Sequence, residues 1–393
     1  MNFPVLGRRV VIAALTLALA SCASRAPIRE NAPGSTPVAG TDEDEIWYAM
    51  ERAERELQRS PLRVRDQALN DYVRKTVCKS AGDYCRDLRV YIMDVPQFNA
   101  SMAPNGMMLL WTGALLRARN EAEIAFVLSH EMGHFKAQHS LKQWRRIKDT
   151  TALLSVFQVL AYGAGAPNLA MLGSLAGYAA IFKFTRDQER EADRIGFDAL
   201  VSHGYDPQAG VDLWARMKRE DDTRRYDRPS ALFSSHPATA ERLADVSAAA
   251  AAVVNPPRER HRDEYRAATR PYLEHWLDAE LARRAYAASL LVISELLADS
   301  PAADKAVLTF YLGEAHRRRN AAGDRAMAAA LYAQAASLPG VPVAVWREHG
   351  FALRDAGRNA EARSALQRYL DTATQAEDRA FVQRELSKLG GAR

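Results

Sequence analysis

Hydrophobic and polar positions follow two different periods along the chain, and the change of period predicts where helices give way to strands. Apolar side chains recur three or four residues apart from Glu43 onward and again over 64–77, the spacing of amphipathic helices. Between residues 88 and 93 they alternate instead, as in a half-buried strand. Asn105-Gly106 is a strong turn signal, so residues 107–112 are expected to return as an antiparallel strand.

Helical periodicity resumes at Asn120. Asn120 and Glu123 are spaced as a capping box, which predicts that a helix begins here. Ile124, Val127 and Leu128 supply the buried stripe of this helix.

An uncharged stretch at 151–182 leaves two interpretations open. Its length and apolar character are typical of a transmembrane segment. However, Gly163, Gly165 and Pro167 divide it into two pieces that are each short for a crossing. We therefore expect two buried helices that touch the membrane surface at most, and a membrane-inserted hairpin is the alternative.

The pattern changes again beyond Pro256, where the chain is rich in alanine and its apolar positions predict consecutive amphipathic helices. Gly313 and Gly350 occupy similar local contexts 37 residues apart, close to the period of about 34 residues in tetratricopeptide repeats. Such helix pairs stack into a concave surface that binds peptides or partner proteins. The sequence thus predicts a repeat-like, all-α domain over 256–393, although other alanine-rich helical hairpins would share the pattern.

Composition excludes two broad classes of protein, and the N-terminus predicts a compartment. With 48% apolar and 26% charged residues the chain is globular, and its net charge of +5 is too dispersed for a nucleic-acid-binding stripe. Arg8 and Arg9 precede an apolar run that ends at Cys22, an arrangement that resembles a bacterial lipoprotein signal. We expect a signal peptide over 1–22 and a flexible tether over 23–41. Because the residue after the acylated cysteine is not aspartate, the lipid anchor is expected in the outer membrane, with the protein in the periplasm.

The two other cysteines, Cys78 and Cys85, lie seven residues apart. An oxidising periplasm permits a disulfide between them, which would stabilise the fold by about 2–3 kcal/mol by restricting the unfolded chain. A pair of thiolate metal ligands is the alternative, but no further cysteine beyond the lipidation site is present to complete it. The disulfide is the favoured prediction.

The chemistry is carried by His130-Glu131-Met132-Gly133-His134. Residues four apart project from one face of a helix, so the two imidazoles can bind one Zn²⁺ per chain. Glu131 lies beside them and can take a proton from a zinc-bound water, whose attack on a peptide carbonyl it thereby promotes as general base. A catalytic zinc also needs a third protein ligand and an open fourth position.

A downstream acidic segment offers that third ligand. Glu189-Arg190-Glu191-Ala192-Asp193, taken with the histidine motif, resembles the HtpX-like and CAAX-prenyl-protease-like peptidases, a gluzincin family. In that family the first glutamate of Glu-x-x-Ala-Asp is the third zinc ligand, so the resemblance assigns Glu189 to zinc. By the same resemblance Glu191 is not a ligand, and helix geometry agrees that the two glutamates are alternatives, because they lie about 200° apart around a helix. Asp193, one turn after Glu189, suits a carboxylate that orients a ligand imidazole.

The resemblance also covers His236-Pro237 and Arg242, six residues after the histidine. It implies that Arg242 lies near the active site, where a guanidinium can stabilise the oxyanion of the tetrahedral intermediate. It implies as well that His236 approaches the zinc, as a fourth ligand in a resting state or as a group that assists the transition state. His139 lies about 140° around the helix from His134 and is expected to point away from the ligands.

The resemblance implies a mainly α protein, with a gluzincin metallopeptidase domain over 42–255 that contains a small antiparallel sheet, followed by the repeat domain. An edge strand beside the zinc, expected after Asn105-Gly106, would pair with the backbone of unfolded substrates. The chain looks most like periplasmic peptidases that degrade misassembled outer-membrane proteins. Its repeats would then contact substrates or the outer-membrane assembly machinery. An assembly factor or chaperone with an idle or latched protease is the alternative.

Overall fold

A computed structural model describes residues 27–149, 183–223, 236 and 240–390. The expected signal peptide with Cys22 and the uncharged stretch 151–182 lie outside these residues. Within the described ranges, no helix has both the length and the apolar character that a membrane crossing needs.

From residue 27 to the sheet the chain forms two helices, as the periodicity predicts. They are α1 (Asp42–Gln58) and α2 (Gln67–Ala81), and the side chains of Thr41 and Asp66 cap them by accepting backbone N–H groups. A disulfide joins Cys78 near the end of α2 to Cys85 in the following 3₁₀ turn. The bond ties the end of this helix to the segment that leads into the sheet.

The sheet has three strands, β1 (Arg89–Met93), β2 (Ala100–Met102) and β3 (Met107–Trp111), in the order β1-β3-β2. All five residues of β3 are buried, as expected for a central strand covered on both faces. β1 runs parallel to β3 and β2 runs antiparallel to it.

This mixed topology corrects two predictions. Asn105-Gly106 does form a hairpin turn, in which Gly106 has φ 85° and its N–H donates to the Ala103 carbonyl. The hairpin, however, joins β2 to β3, because the chain crosses the sheet between β1 and β2. The expectation of a wholly antiparallel sheet is therefore wrong. The strand after the turn is also central and not an edge, so the edge strand beside the peptidase helices is β2.

Within the described ranges, six helices complete the first half: α3 (Thr112–Arg117), α4 (Glu121–Lys136), α5 (His139–Asp149), α6 (Arg186–Ser202), α7 (Gln208–Asp222) and α8 (Ala240–Ala252). The predicted start of α4 is confirmed, since the Asn120 side chain accepts the Glu123 N–H at 3.1 Å. The carboxylate of Glu123 accepts the N–H of Arg119, one residue before the position that a standard capping box would use. α4 is buried from Ala122 to Phe135 and packs against α2, α6, α7 and β2.

Two glycines let α4 and α6 approach each other closely. A Cβ atom on Gly133 would lie 2.8 Å from the backbone of Ala192, and one on Gly196 would lie 2.7 Å from the backbone nitrogen of His130. Such distances are far below normal contacts, so any larger residue would force the helices apart. This close packing fixes the histidines of α4 relative to the carboxylates of α6.

As far as residue 390, the C-terminal half consists of α-helices joined by turns and one 3₁₀ segment (Arg270–Tyr272), which agrees with the mainly α prediction. Its helices are α9 (Arg262–Thr269), α10 (Leu273–Ala282), α11 (Tyr286–Ala298), α12 (Ala302–Arg319), α13 (Asp324–Ala336), α14 (Ala344–Asp355), α15 (Asn359–Thr372) and α16 (Arg379–Gly390). α12 packs on α13, and α14 packs on α15. Gly313 lies against Tyr332 in the first pair, and Gly350 lies against Leu366 in the second. The two glycines noted in the sequence therefore serve the same purpose, a close approach within a helical hairpin.

One hydrophobic core crosses the boundary that the composition suggests near residue 256. It extends from Leu69 and Phe126 to Trp276 and Phe310 without interruption. α9 to α12 therefore share this core with the peptidase half. α12 in turn packs on α13, so the core connects the peptidase half to the later helix pairs.

Candidate metal centre

α4 and α6 bring the sequence-predicted site residues together. His130, His134, Glu189 and His236 each offer a ligand atom, and these four atoms lie within 4.8 Å of one another. All four side chains are buried. The histidines come from one face of α4 and Glu189 from the first turn of α6, so the close packing of these helices forms the centre.

The spacing of the ligand atoms suits a tetrahedral metal ion. Nε2 of His130 lies 3.1 Å from Nε2 of His134, 3.5 Å from Oε2 of Glu189 and 3.3 Å from Nδ1 of His236. Ligand atoms that are about 2.0–2.1 Å from a tetrahedral zinc lie about 3.4 Å from one another. Two neutral imidazoles that face each other through Nε2 are also more readily explained by a shared cation than by a hydrogen bond. The residues present thus fit a zinc ion.

The charge distribution also favours a cation. Burial alone would lower the pKa of His130, but the adjacent carboxylates of Asp193 and Glu189 raise this pKa to about 9. Burial would raise the pKa of Glu189, yet His236, His130 and His134 hold it well below its ordinary value. The centre therefore combines an ionised Glu189 with His130, whose position favours positive charge, whereas burial holds the pKa of His134 well below its ordinary value.

Glu131 lies beside the cluster with one oxygen unused. The side chain is 1% exposed, and its Oε1 has no hydrogen-bond partner within the described part of the chain. Nε2 of His236 lies 3.7 Å from this oxygen. Buried carboxylate oxygens without a partner are rare and usually mark a position where a water or substrate group binds. Glu131 therefore lies in a position that suits a general base, beside the ligand cluster and with a free oxygen for a bound water.

Asp193 and Arg242 contact the ligand residues His130 and Glu189 and hold them in position. Oδ1 of Asp193 lies 2.9 Å from Nδ1 of His130, which leaves the other ring nitrogen facing the cluster. Arg242 donates to Asp193 through Nε and Nη2 at 2.6 and 2.8 Å and lies 2.7 Å from Glu189 through Nη1. Burial would lower the pKa of Arg242, but Asp193 and Glu189 raise it. Arg242 thus holds two carboxylates in place, a contact that the sequence did not predict.

The prediction that His139 points away from the ligands is wrong. α4 ends at Lys136, and Gln138 has φ 50°, so the chain turns and His139 begins α5. Nδ1 of His139 lies 2.9 Å from Nδ1 of His134, and its Nε2 lies 3.0 Å from Glu191. The prediction assumed that the helix continues as far as His139, and no glycine or proline marks the break between Lys136 and His139.

Two aromatic rings that sequence reasoning missed enclose the imidazoles. Phe184 stacks on His134 with ring centroids 4.0 Å apart, and Trp214 lies edge-on to His130 at 6.2 Å. Phe184 precedes α6, and Trp214 lies on α7, so neither has a fixed spacing from the histidine motif. Their packing limits the rotation of the imidazoles and excludes water from one side.

Comparisons with known proteins agree with this geometry. Residues 64–250 match the model of peptidase family M48. The chain is 28% identical to the beta-barrel assembly-enhancing protease of Escherichia coli K12 over 251 residues, which are 60% of this chain and 50% of that protein. It is 27% identical to the Yersinia pestis protein of the same name over 202 residues, 49% of this chain and 41% of the relative. The metalloprotease YcaL of Escherichia coli is 31% identical over 148 residues, 38% of this chain and 56% of that protein.

The chain spans about half the length of these relatives. The matched range contains α4, α6 and most of α8, and with them every residue of the cluster from His130 to Arg242. Family match and geometry lead to the same conclusion: residues 64–250 form a metallopeptidase domain of family M48.

Proposed function

We propose that this protein is a zinc-dependent endopeptidase of the bacterial cell envelope that degrades misfolded or misassembled outer-membrane proteins. The observation that carries the proposal is the buried cluster of His130, His134 and Glu189 beside the unpartnered oxygen of Glu131, within an M48 domain. The names of the relatives support the envelope assignment, because two of them are called beta-barrel assembly-enhancing proteases.

The proposed division of labour follows from the contacts. In this proposal His130, His134 and Glu189 hold the zinc, and Asp193, 2.9 Å from Nδ1 of His130, orients this ring so that Nε2 is available to the metal. When bound, zinc supplies Lewis-acid polarisation of the scissile carbonyl and acidifies a water molecule. Glu131 takes the proton of the attacking water and delivers it to the leaving amine.

Two further residues contribute to the reaction in this proposal. His236 directs Nε2 towards Glu131 at 3.7 Å, so it can donate to the oxyanion that forms on the substrate. Arg242 adds positive charge at the same centre, while its bonds to Asp193 and Glu189 keep the ligand carboxylate oriented.

The substrate is proposed to bind along β2. This strand lies at the edge of the sheet and packs against α4, which carries the ligand histidines. Hydrogen bonds between main chains do not depend on the side chains of the substrate. This mode of binding therefore suits a peptidase that acts on many unfolded polypeptides.

Localisation and recruitment complete the proposal. The N-terminal pattern supports lipidation of Cys22 and a periplasmic enzyme tethered to the outer membrane. The stacked pairs α12–α13 and α14–α15 support a tetratricopeptide-like surface for substrates or assembly machinery.

The contacts of His236 favour a second candidate function, an assembly factor whose protease is latched. Nδ1 of His236 lies 3.1 Å from Glu189 and 3.3 Å from His130, which is inside the ligand cluster. A fourth protein ligand would occupy the position that a substrate needs. If His236 is a latch, His236→Ala raises the rate of cleavage; if it assists catalysis, the same change lowers the rate.

Metal removal tests the proposed activity. Cleavage of an unfolded protein should stop after treatment with a chelator and return when zinc, but not magnesium, is added back, because the donor set of imidazoles and one carboxylate prefers zinc. Cleavage that continues at full rate in the chelated protein would contradict the proposal.

A further inference from the structure

A pocket of about 60 Å³ lies between the peptidase half and the C-terminal helices, and it contains none of the metal-centre residues. Its floor is apolar, with Leu115 from α3, Tyr265 from α9, Trp276 from α10 and Leu308 from α12. Arg119, in the segment between α3 and α4, lines the same pocket. Arg119 therefore lines a cavity that combines this apolar surface with further polar residues, which are Arg266, Thr269, Arg270, Asp299, Ser300 and Asp304.

Arg119 is unusual because it is a buried cation without an acidic partner. Its side chain is 8% exposed, and Nη1 donates to the carbonyl of Arg117 at 3.1 Å. In the ranges that the structure describes, no carboxylate lies within 4.0 Å of this guanidinium. Buried arginines are normally paired, since an unpaired charge in a dry environment is strongly unfavourable.

The nearest carboxylates do not neutralise Arg119, because other arginines already bind them. Three carboxylates are close enough to influence it, and each pairs with a different arginine: Glu123 with Arg216, Glu295 with Arg219, and Asp299 with Arg262. Burial and the repulsion by Arg216 lower the pKa of Arg119 to about 10, so the guanidinium is still charged at neutral pH. The surroundings of the pocket thus carry an excess of positive charge that an anion would relieve.

We propose that this pocket binds a carboxylate attached to a small apolar group, and specifically the free C-terminal carboxylate of a peptide whose last residue is alanine, since a volume of about 60 Å³ has no room for a larger side chain. The planar guanidinium of Arg119 can donate to a carboxylate through two parallel N–H groups, and Nη1 is already held by the backbone. The apolar floor receives the last side chain.

Polar residues of the lining distinguish a peptide from a fatty acid. Asp299, Ser300 and Asp304 line the pocket, and their oxygen atoms can accept from the N–H groups of a peptide backbone. A fatty acid carries the same carboxylate and an apolar tail but has no such donors. The site is separate from the metal centre, so it binds chain ends whether or not the centre cleaves them.

Binding of labelled peptides tests this assignment in the full chain carrying Glu131→Gln, in which cleavage does not interfere. The probe is an N-terminally fluorescein-labelled Ala-Ala-Leu-Ala peptide with either a free carboxylate or a C-terminal amide, and its binding is followed by fluorescence anisotropy. We expect the acid to bind on the order of tenfold more tightly than the amide, because only the acid pairs with Arg119. Arg119→Gln should remove this difference, and Arg325→Gln, which removes an equal charge from the exposed surface, should preserve it.

Equal binding of acid and amide by the protein with Arg119 intact would overturn the proposal, and this comparison does not depend on the folding of any Arg119 variant. A preference for the acid that survives Arg119→Gln would overturn the assignment to this pocket. Displacement of the peptide by decanoate at lower concentration than by the unlabelled acid peptide would assign the pocket to fatty acids and overturn the peptide assignment.

Discussion

His139 shows how a single residue outside the ligand set can control a metal centre. It contacts His134 through Nδ1 and Glu191 through Nε2, so its orientation is fixed at both ends. If His139 donates to Glu191 through Nε2, its Nδ1 can accept the N–H of His134. This arrangement leaves Nε2 of His134 without a proton, and its lone pair is directed at the cluster.

Replacement of His139 by alanine is expected to weaken zinc binding about 10- to 100-fold, since His134 loses the partner that fixes its tautomer and ring orientation. Competition with a chromophoric chelator measures the affinity directly. The control is His203→Ala, because His203 bonds to the Ala199 carbonyl of its own helix and lies outside the cluster. Equal zinc affinities of the His139 and His203 variants would show that the contact has no such role.

The residues of the centre differ in how far they could be predicted. His130, His134 and Glu189 stand out because their chemistry requires fixed spacing on a helix or a short motif. The contact of His139 depends on a helix end that no glycine or proline marks. Phe184 and Trp214 reach the imidazoles only through tertiary packing, which leaves no local pattern in the sequence.

Among the secondary-structure elements, the contact between α4 and α6 determines the geometry of the centre. The glycines on each helix face the backbone of the other, so the two helices touch without intervening side chains. A small separation of these helices would move the Glu189 carboxylate away from both histidines.

Gly196→Ala is therefore expected to destabilise the fold by about 1–3 kcal/mol, because the added methyl group would lie 2.7 Å from the His130 backbone nitrogen. Urea unfolding followed by circular dichroism measures this change, and the zinc affinity should fall in parallel. Gly390→Ala is the matched control, since a Cβ at that position meets no atom within 4 Å. If the two alanine variants unfold at the same urea concentration, the close approach of α4 and α6 is not a constraint.

The elements themselves were largely predictable, whereas their connections were not. The period-2 pattern and the Asn105-Gly106 turn gave β1, β3 and the hairpin. The short β2 has only three residues, too few to show a period, so the hairpin was assigned to the wrong strand pair. Because β2 was missed, neither the parallel pairing of β1 with β3 nor the position of β2 at the edge of the sheet was predicted.

For the whole molecule, a buried ion cluster joins the peptidase half to the C-terminal helices. Arg117 on α3 donates to Glu220 on α7 at 2.6 Å and to Glu280 on α10 at 2.9 Å, and all three side chains are buried. Burial would raise the pKa of Glu280, but Arg117 and Arg283 hold it below its ordinary value. The change in composition near residue 256 marks a boundary in sequence but contains no information about this packing.

The depressed pKa of Glu280 gives stability a defined pH dependence. The ionised carboxylate stabilises the fold fully above the pKa of the unfolded chain, near 4.5, and this contribution is lost as the pH falls through the lower folded pKa. The free energy of unfolding should therefore decrease from pH 6 to pH 3 more steeply in the unaltered protein than in Glu280→Gln. Glu56→Gln, at an exposed position, is expected to keep the steep dependence. Parallel curves for all three proteins would mean that Glu280 does not contribute.

The central claim, a zinc peptidase with Glu131 as its base, is tested most directly by one comparison of the protein with Glu131→Gln. Bound zinc is measured by elemental analysis and cleavage is followed on an unfolded protein. We predict about one zinc per chain in both proteins, because Glu131 is not a ligand. We also predict that cleavage falls at least about 100-fold in the variant, because the amide cannot accept the proton of the attacking water. Equal rates of cleavage by the two proteins, or the absence of zinc from both, would contradict the account.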